Sequence, residues 1–380
     1  MYYYCPKDMK LLFIRSTNGI SGAEIYNENL LKGLRKAPGI EVNFLTNNKK
    51  WQQRLVTQGI SCSTFFCPVH EPGTKKELFW YLLWLYPMLV VYLWRILNNQ
   101  RKEKYTSIVL ESMGEKLFLS SFLKLFGYRV IWIEHGPLFI TDRFFFIKWL
   151  YVWKSRWADA IIAVSKDTKK DLITGGVPDI KISMIYIGIR KIASPGARND
   201  KKRKKKNWVI GYLGSIAKEK GISMFIGAAR TIIQKRAYAS FCVIGNGPDL
   251  DWARNYAKRF HMQKRVIFTG YVSDPSQYMS TIDILFFPTH HHEGLSMALL
   301  ESMAHGKIVV VRDIGGNREL AIDKKTGFLF QTDEEGEKIL VEIITGKLST
   351  KGIREAARAH VRKNFWMDTQ VHKFIEVFRG

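Results

Sequence analysis

From end to end this chain alternates short apolar runs of strand length with longer amphipathic segments of helical period. Few folds accommodate that pattern. In the first half, strands are expected at 10–14, 42–45, 107–110, 130–133, 160–164 and 182–187, with helices between them such as 24–35 and 167–172. The alternation restarts at 208–213 and continues through strands at 240–244, 266–269, 282–287 and 308–311. Strands separated by helix-length segments pair in parallel and are covered on both faces, which is the doubly wound α/β arrangement. A chain of 380 residues is longer than one core usually fills. A turn-rich and basic stretch, 193–207, breaks the pattern near its middle. The expected architecture is therefore two Rossmann-like domains, 1–190 and 208–363, joined by a basic linker at 191–207 and followed by an amphipathic helix at 364–380. Such domains bind ligands outside the carboxyl ends of their strands, and a cleft between the two is the expected active site.

Charge narrows the partners. Lys and Arg number 59 against 34 Asp and Glu, a formal charge of +25. The densest block, Lys201 to Lys206, follows a turn-rich segment and reads as solvated linker. No nucleic-acid-binding motif accompanies the charge, so nucleic acid is not the expected partner. Basic stretches rich in aromatic residues, such as Arg143-Phe-Phe-Phe-Ile-Lys-Trp-Leu-Tyr-Val-Trp-Lys154, suit an anionic membrane surface. The uncharged run Phe79 to Trp94 is short for a spanning helix, contains Pro87, and carries Trp and Tyr through its middle. A buried or membrane-touching helix is expected there. The N-terminus lacks the form of a secretory leader. Four scattered cysteines, Cys5, Cys62, Cys67 and Cys242, make no metal pair and suggest a reducing, cytoplasmic setting.

Five loops that follow expected strands carry the residues able to do chemistry. Ser16-Thr-Asn-Gly-Ile-Ser-Gly-Ala-Glu24 ends a strand and opens a helix, and Gly22 there lets a ligand approach the backbone at a helix N-terminus. His135 ends an apolar strand before a Gly-Pro turn, and its side chain titrates near neutrality. In Gly211-Tyr-Leu-Gly-Ser-Ile-Ala-Lys-Glu-Lys-Gly221, Lys220 stands at a helix start and suits a diphosphate. Val243-Ile-Gly-Asn-Gly-Pro248 is a Gly-rich turn in which Gly247 leaves room for a nucleoside. The richest segment is His290-His-His-Glu-Gly-Leu-Ser-Met-Ala-Leu-Leu-Glu-Ser-Met-Ala-His-Gly306. Ser296 is the expected N-cap of a helix 297–305, which Gly306 stops. Glu293 then lies before the helix and Glu301 inside it, roughly 12 Å apart along the chain axis. That spacing suits two contacts along one extended ligand, with the helix N-terminus facing a phosphate. Three consecutive histidines cannot all face one ion without a strained loop, so no metal site is expected.

The order of these motifs resembles the family 4 glycosyltransferases of GT-B fold, retaining enzymes that use nucleotide sugars. The Glu-x7-Glu element is Glu293 to Glu301, followed by Val309-Val-Val-Arg-Asp-Ile-Gly-Gly-Asn-Arg-Glu319. Phe241-Cys-Val-Ile-Gly-Asn-Gly-Pro, Val266-Ile-Phe-Thr-Gly-Tyr-Val272, Ala163-Val-Ser165 and Ser21-Gly-Ala-Glu24 also match. The resemblance implies that Glu293 touches the transferred sugar near its anomeric centre and that Glu301 holds the ribose hydroxyls. It implies that Lys220 pairs with the diphosphate, helped by backbone N–H groups of Leu295, Ser296 and Met297. It places Gly22 near the phosphate, Gly247 near the nucleoside, and His135 against the donor sugar or the acceptor. The N-terminal domain would bind the acceptor and the second the donor, and the C-terminal helix would cross back to the first domain. Two departures stand out: Ser215 where the family commonly has Arg, with Lys218 or Arg190 as substitutes for the missing charge, and Leu295-Ser296 where many relatives have Phe-Gly.

The expected activity is retaining, metal-independent hexosyl transfer from a nucleotide diphosphate donor, with no resident cofactor. The expected acceptor is a lipid-linked or cell-envelope polysaccharide intermediate, met in the cytoplasm or at the inner face of the membrane. Two other readings are a basic scaffold or nucleic-acid binder with an inactive transferase fold, and a nucleotide-sugar epimerase. Product analysis separates the epimerase from a transferase, and nucleotide binding without any turnover would mark the inactive fold.

Overall fold

The computed structural model describes residues 9–65, 87, 91, 104–137, 145–191, 207–235, 237–272 and 274–380. Outside these lie residues 1–8, Cys5 and Cys67, the block Lys201 to Lys206, and all of the apolar run 79–94 except Pro87 and Val91. The chain divides into two units, Met1–Gly188 with Met367–Gly380, and Ile189–Trp366.

The first unit is a seven-stranded sheet in the order β3-β2-β1-β4-β5-β6-β7. Its strands are β1 (Met9–Arg15), β2 (Ile40–Thr46), β3 (Ser61–Thr64), β4 (Ser107–Leu110), β5 (Arg129–Glu134), β6 (Ala160–Ala163) and β7 (Ile182–Met184). Every neighbouring pair is parallel. Parallel strands need crossovers, and covering both faces makes the strands apolar throughout, as Ile108, Val109 and Leu110 in β4 show by being fully buried. The helix Gly22–Leu34 packs against the helix Met367–Arg379. A Cβ on Gly33 would lie 2.5 Å from Val371, so a glycine is what lets these two helices approach so closely.

The second unit is a six-stranded parallel sheet in the order β10-β9-β8-β11-β12-β13. These strands are β8 (Trp208–Leu213), β9 (Ala239–Ile244), β10 (Val266–Gly270), β11 (Ile284–Phe287), β12 (Ile308–Arg312) and β13 (Phe328–Phe330). Its core joins Ile210, Phe225, Phe241, Phe286, Val310 and Phe328 across sheet and helices. Burying an aliphatic or aromatic side chain of this size contributes about 1.5–3 kcal/mol.

Both units are thus parallel α/β sheets of Rossmann type. Two short edge strands, β3 and β13, were not expected, and the strand expected at 182–187 stops at Met184. Among the described residues no helix is long and apolar enough to cross a membrane.

Candidate active site

In the second unit the sheet reverses its order between β8 and β11, and the loops leaving these strands meet at that switch point, where open α/β sheets bind ligands. The loop after β8 ends in a single 3-10 turn, Lys218–Lys220, and then Gly221 at φ 80° opens the helix Ile222–Gln234. A Cβ on Gly221 would fall 2.0 Å from the Pro288 carbonyl oxygen. The left-handed glycine therefore allows the β8 and β11 loops to touch. Tyr212 fastens the same loop, its hydroxyl donating to the Ser215 carbonyl at 2.7 Å and lying 3.3 Å from that of Lys220. Burial, and after it the Glu293 charge, pushes the Tyr212 hydroxyl well up and keeps it a donor.

Across this contact Lys220 Nζ stands 2.9 Å from Glu293 Oε1, with the two side chains 27% and 18% exposed. The pair is neither buried nor freely solvated. Glu293 is held from below by the turn after β12. The Gly316 N–H donates to the Glu293 carbonyl at 3.0 Å. A Cβ on Gly316 would fall 1.8 Å from the Gly294 oxygen, and one on Gly315 2.5 Å from that of Glu293. The two glycines are there because the Glu293–Gly294 backbone lies on them.

Beyond Glu293 the helix Met297–Ala304 begins, with Ser296 as N-cap accepting from the Leu299 N–H at 3.4 Å. Among the described residues the N–H groups of Leu295, Ser296 and Met297 meet no acceptor. Unpaired donors at the positive end of a helix attract anions. Glu301 lies farther along this helix, half-buried and without a hydrogen-bond or ion-pair partner for its carboxylate among the described residues. Burial, then the charge of Asp274, pushes its carboxyl up to about 7.

Gly247 belongs to the loop after β9, which is pressed onto the β8 loop. A Cβ there would fall 2.4 Å from the Ile216 oxygen, and one on Gly245 1.9 Å from that of Gly214. Loop-on-loop contact thus accounts for the missing side chain at 247. His290 and His291 donate their backbone N–H groups to the Glu219 carbonyl, and His290 Nε2 lies 4.0 Å from Asp333. Among the described residues no group of three or more His, Cys, Asp or Glu is placed to hold a metal ion.

The first unit has its own switch point, between β1 and β4. Arg15 closes β1, Glu111 follows β4 and His135 follows β5. Arg15 donates to Glu24 at 2.8 Å and stands 3.3 Å from Glu111. Glu111 also accepts from the Asn27 amide at 2.5 Å and meets His135 Nε2 at 2.9 Å. Burial alone would raise the Glu111 carboxyl, but the His135 hydrogen bond and the charges of His135 and Arg15 hold it below the usual range. Burial lowers His135, against the pull of Glu111. Burial thus favours the neutral ring, and Glu111, which Arg15 also helps to hold down, stays ionised. A carboxylate can only accept, so Nε2 carries the proton and Nδ1 the lone pair. Gly22 is the first, exposed residue of the helix Gly22–Leu34, whose start is fixed by the Ser21 N–H donating to Glu24 at 2.8 Å. Arg15, Glu111 and Asn27 were not singled out from the sequence. The signal for Arg15 and Glu111 is a charged residue closing an otherwise apolar strand, at Phe13-Ile-Arg15 and Val109-Leu-Glu111, whereas Asn27 lies inside a helix and carries no such signal.

Two family models tile the chain. The one described as Glycosyltransferase Family 4 matches residues 20–191, and the one described as Glycosyl transferases group 1 matches 195–360. The chain belongs to glycosyltransferase family 4. This glycosyltransferase is 26% identical over 277 residues to an uncharacterised glycosyltransferase of Methanocaldococcus jannaschii, covering 69% of this chain and 70% of that one. It is 25% identical over 250 residues to an Escherichia coli enzyme named UDP-Gal:alpha-D-GlcNAc-diphosphoundecaprenol alpha-1,3-galactosyltransferase, covering 62% of this chain and 64% of that one. In fold it is similar to Anabaena HepE, solved in complex with UDP, with a TM-score of 0.80 at 19% identity over 98% of this chain and 100% of that one. The fold is GT-B.

In this family 4 glycosyltransferase the structure brings together Lys220, Glu293 and the N–H groups of Leu295, Ser296 and Met297. Gly247 lies in the adjoining loop and Glu301 deeper in the helix, while Gly22 and His135 stand in the first unit. Ser215 is exposed and its carbonyl is occupied by Tyr212. Lys218 and Arg190, the candidate substitutes for an Arg at 215, are both exposed, and the Lys218 N–H is tied to Asp249 at 2.8 Å.

Proposed function

We propose that this glycosyltransferase moves a hexose from a nucleotide diphosphate to an acceptor hydroxyl with retained configuration, using the switch point of the second unit to hold the donor. The carrying observation is the Lys220–Glu293 pair standing next to three unpaired N–H groups at a helix start. Breaking a sugar–diphosphate bond leaves negative charge on the diphosphate. Lys220 and the start of the helix Met297–Ala304 supply preorganised positive potential for it without requiring a bound cation. Glu293 then stands against the sugar, and Glu301 accepts from the ribose hydroxyls. His135, held by Glu111 in one tautomer, faces the donor sugar or the acceptor.

The acceptor in this reading is a lipid-linked or envelope polysaccharide intermediate, met in the cytoplasm at the inner face of the membrane. Support comes from the E. coli relative, whose name specifies a diphosphoundecaprenol-linked acceptor, and from HepE, solved with UDP and with UDP-glucose. A thermal-shift screen of nucleoside diphosphates and their sugars identifies the donor, because a ligand that binds the folded state raises its melting temperature. With that donor, Glu293→Gln and Lys220→Met should each lower transfer by about a hundredfold or more with little change in melting temperature. Turnover near the wild-type rate in both variants would overturn the proposal. Donor binding by the wild type with no transfer to any glycan or lipid-linked hydroxyl would point instead to an inactive transferase fold.

A further inference from the structure

The helix Phe145–Ser155 of the first unit is apolar on the side that meets water. Its inner face is Ile147, Tyr151 and Ser155, all buried. On the opposite face, at positions i, i+3 and i+7, stand Phe146, Trp149 and Trp153, which are 62%, 54% and 41% exposed. Their rings form a ladder. Phe146 and Trp149 are 6.0 Å apart, and Trp149 and Trp153 are 6.1 Å apart and parallel to within 2°. The helix Met113–Leu125 packs beside this one and ends in the exposed apolar residues Phe122, Leu125 and Phe126. Lys154 joins the two outer surfaces, with Nζ donating to Ser121 Oγ at 2.7 Å and lying 4.8 Å from the centre of the Trp153 ring.

Charge selects the occupant of this face. Residues 145–158 contain Lys148, Lys154 and Arg156 and no acidic residue, and residues 116–133 likewise contain none. Among the described residues Lys154 and Arg156 have no carboxylate partner. Two copies of such a face would set cation against cation, in a chain that already carries +25. A contiguous exposed apolar patch marks an interaction site, and tryptophan with an apolar body and a polar N–H favours the headgroup level of a bilayer. Lysine and arginine at its rim favour anionic lipid.

We propose that this face seats the first unit on an anionic lipid bilayer. The Phe146–Trp149–Trp153 ladder enters the headgroup region, and Lys154 and Arg156 meet lipid phosphates. This surface rests on the reading that the acceptor is met at a membrane, but it is separate from the groups assigned to sugar transfer, so its failure removes the membrane part of that reading and leaves donor binding and transfer untouched.

The test is co-sedimentation of the whole protein with vesicles of phosphatidylcholine, alone or with about a third phosphatidylglycerol. Wild type should pellet with the anionic vesicles, and raising salt should release it. The variant Phe146→Ser/Trp149→Ser/Trp153→Ser should bind at least about tenfold more weakly while keeping its nucleotide-induced thermal shift. The charge-reversed variant Lys154→Glu/Arg156→Glu should lose most of the binding and its salt dependence. It decides the matter should the triple variant fold poorly. Four results would overturn the proposal: wild type staying in the supernatant, equal binding to both vesicle types, undiminished binding by the folded variants, or a vesicle-free dimer that the triple variant abolishes.

Discussion

Glu301 carries an unpartnered, half-buried carboxylate inside a helix, and its ionisation falls near neutrality. Burial and Asp274 push it from an ordinary 4.5 up to about 7. Between those values the folded chain holds a proton that the unfolded chain has released, so this group's contribution to stability is lost as pH rises toward 7 and is present in full below 4.5. Glu301→Gln should therefore flatten the melting temperature across that window, and above it raise the melting temperature by several degrees, read by calorimetry. The ionised carboxylate accepts from two hydroxyls at once, whereas the protonated acid spends one oxygen as a donor and accepts more weakly, so wild-type nucleotide affinity should rise through about pH 7, and the Gln variant should show no such rise in titration calorimetry. The two glutamates were legible in the sequence because their spacing and the N-cap serine between them belong to one short segment. The Lys220–Glu293 pair was not, because it joins residues 73 apart that only the sheet order brings together. Arg15, Glu111 and His135 escaped as a group for the same reason.

At the level of single elements, the loops after β8, β9, β11 and β12 are shaped by glycines that remove a collision. Gly221 is the clearest test. It sits at φ 80° against the Pro288 carbonyl, so Gly221→Ala should destabilise by more than about 1 kcal/mol and shift Lys220 away from Glu293. Gly227 lies in the middle of the helix that follows, where a Cβ would meet nothing within 4 Å, and Gly227→Ala should stabilise by about 0.5–1 kcal/mol. Chemical denaturation of the two variants should move in opposite directions. Most elements were readable from pattern alone, since parallel strands buried on both faces appear as unbroken apolar runs; β8 and β4 begin and end where the sequence placed them. The strands that escaped have no such run. Ser61-Cys-Ser-Thr64 is a polar edge strand with alternating exposure, and β13 is three residues long. Gly247 shows a limit of another kind: a turn glycine in sequence does not reveal which neighbouring loop it must clear.

For the molecule as a whole, the first unit is discontinuous, and its last helix is contributed by Met367–Arg379. Val371, Phe374, Ile375 and Phe378 are buried by it, and Ser107 of β4 donates to the Phe378 carbonyl at 3.2 Å. At about 1.5–3 kcal/mol for each buried side chain, these four contribute on the order of 6–12 kcal/mol, comparable with the whole margin that usually separates folded from unfolded protein. Removing residues 367–380 should therefore make the first unit sensitive to limited proteolysis while Ile189–Trp366 stays protected, with the cleavage sites read by mass spectrometry. The same connection has a meaning for biosynthesis. The groove along Gly22–Leu34, narrowed to glycine at Gly33 to admit its partner, must wait while the ribosome makes the entire intervening unit. Until then the nascent N-terminal sheet stands with an apolar flank uncovered, and the order of translation itself sets how long that lasts.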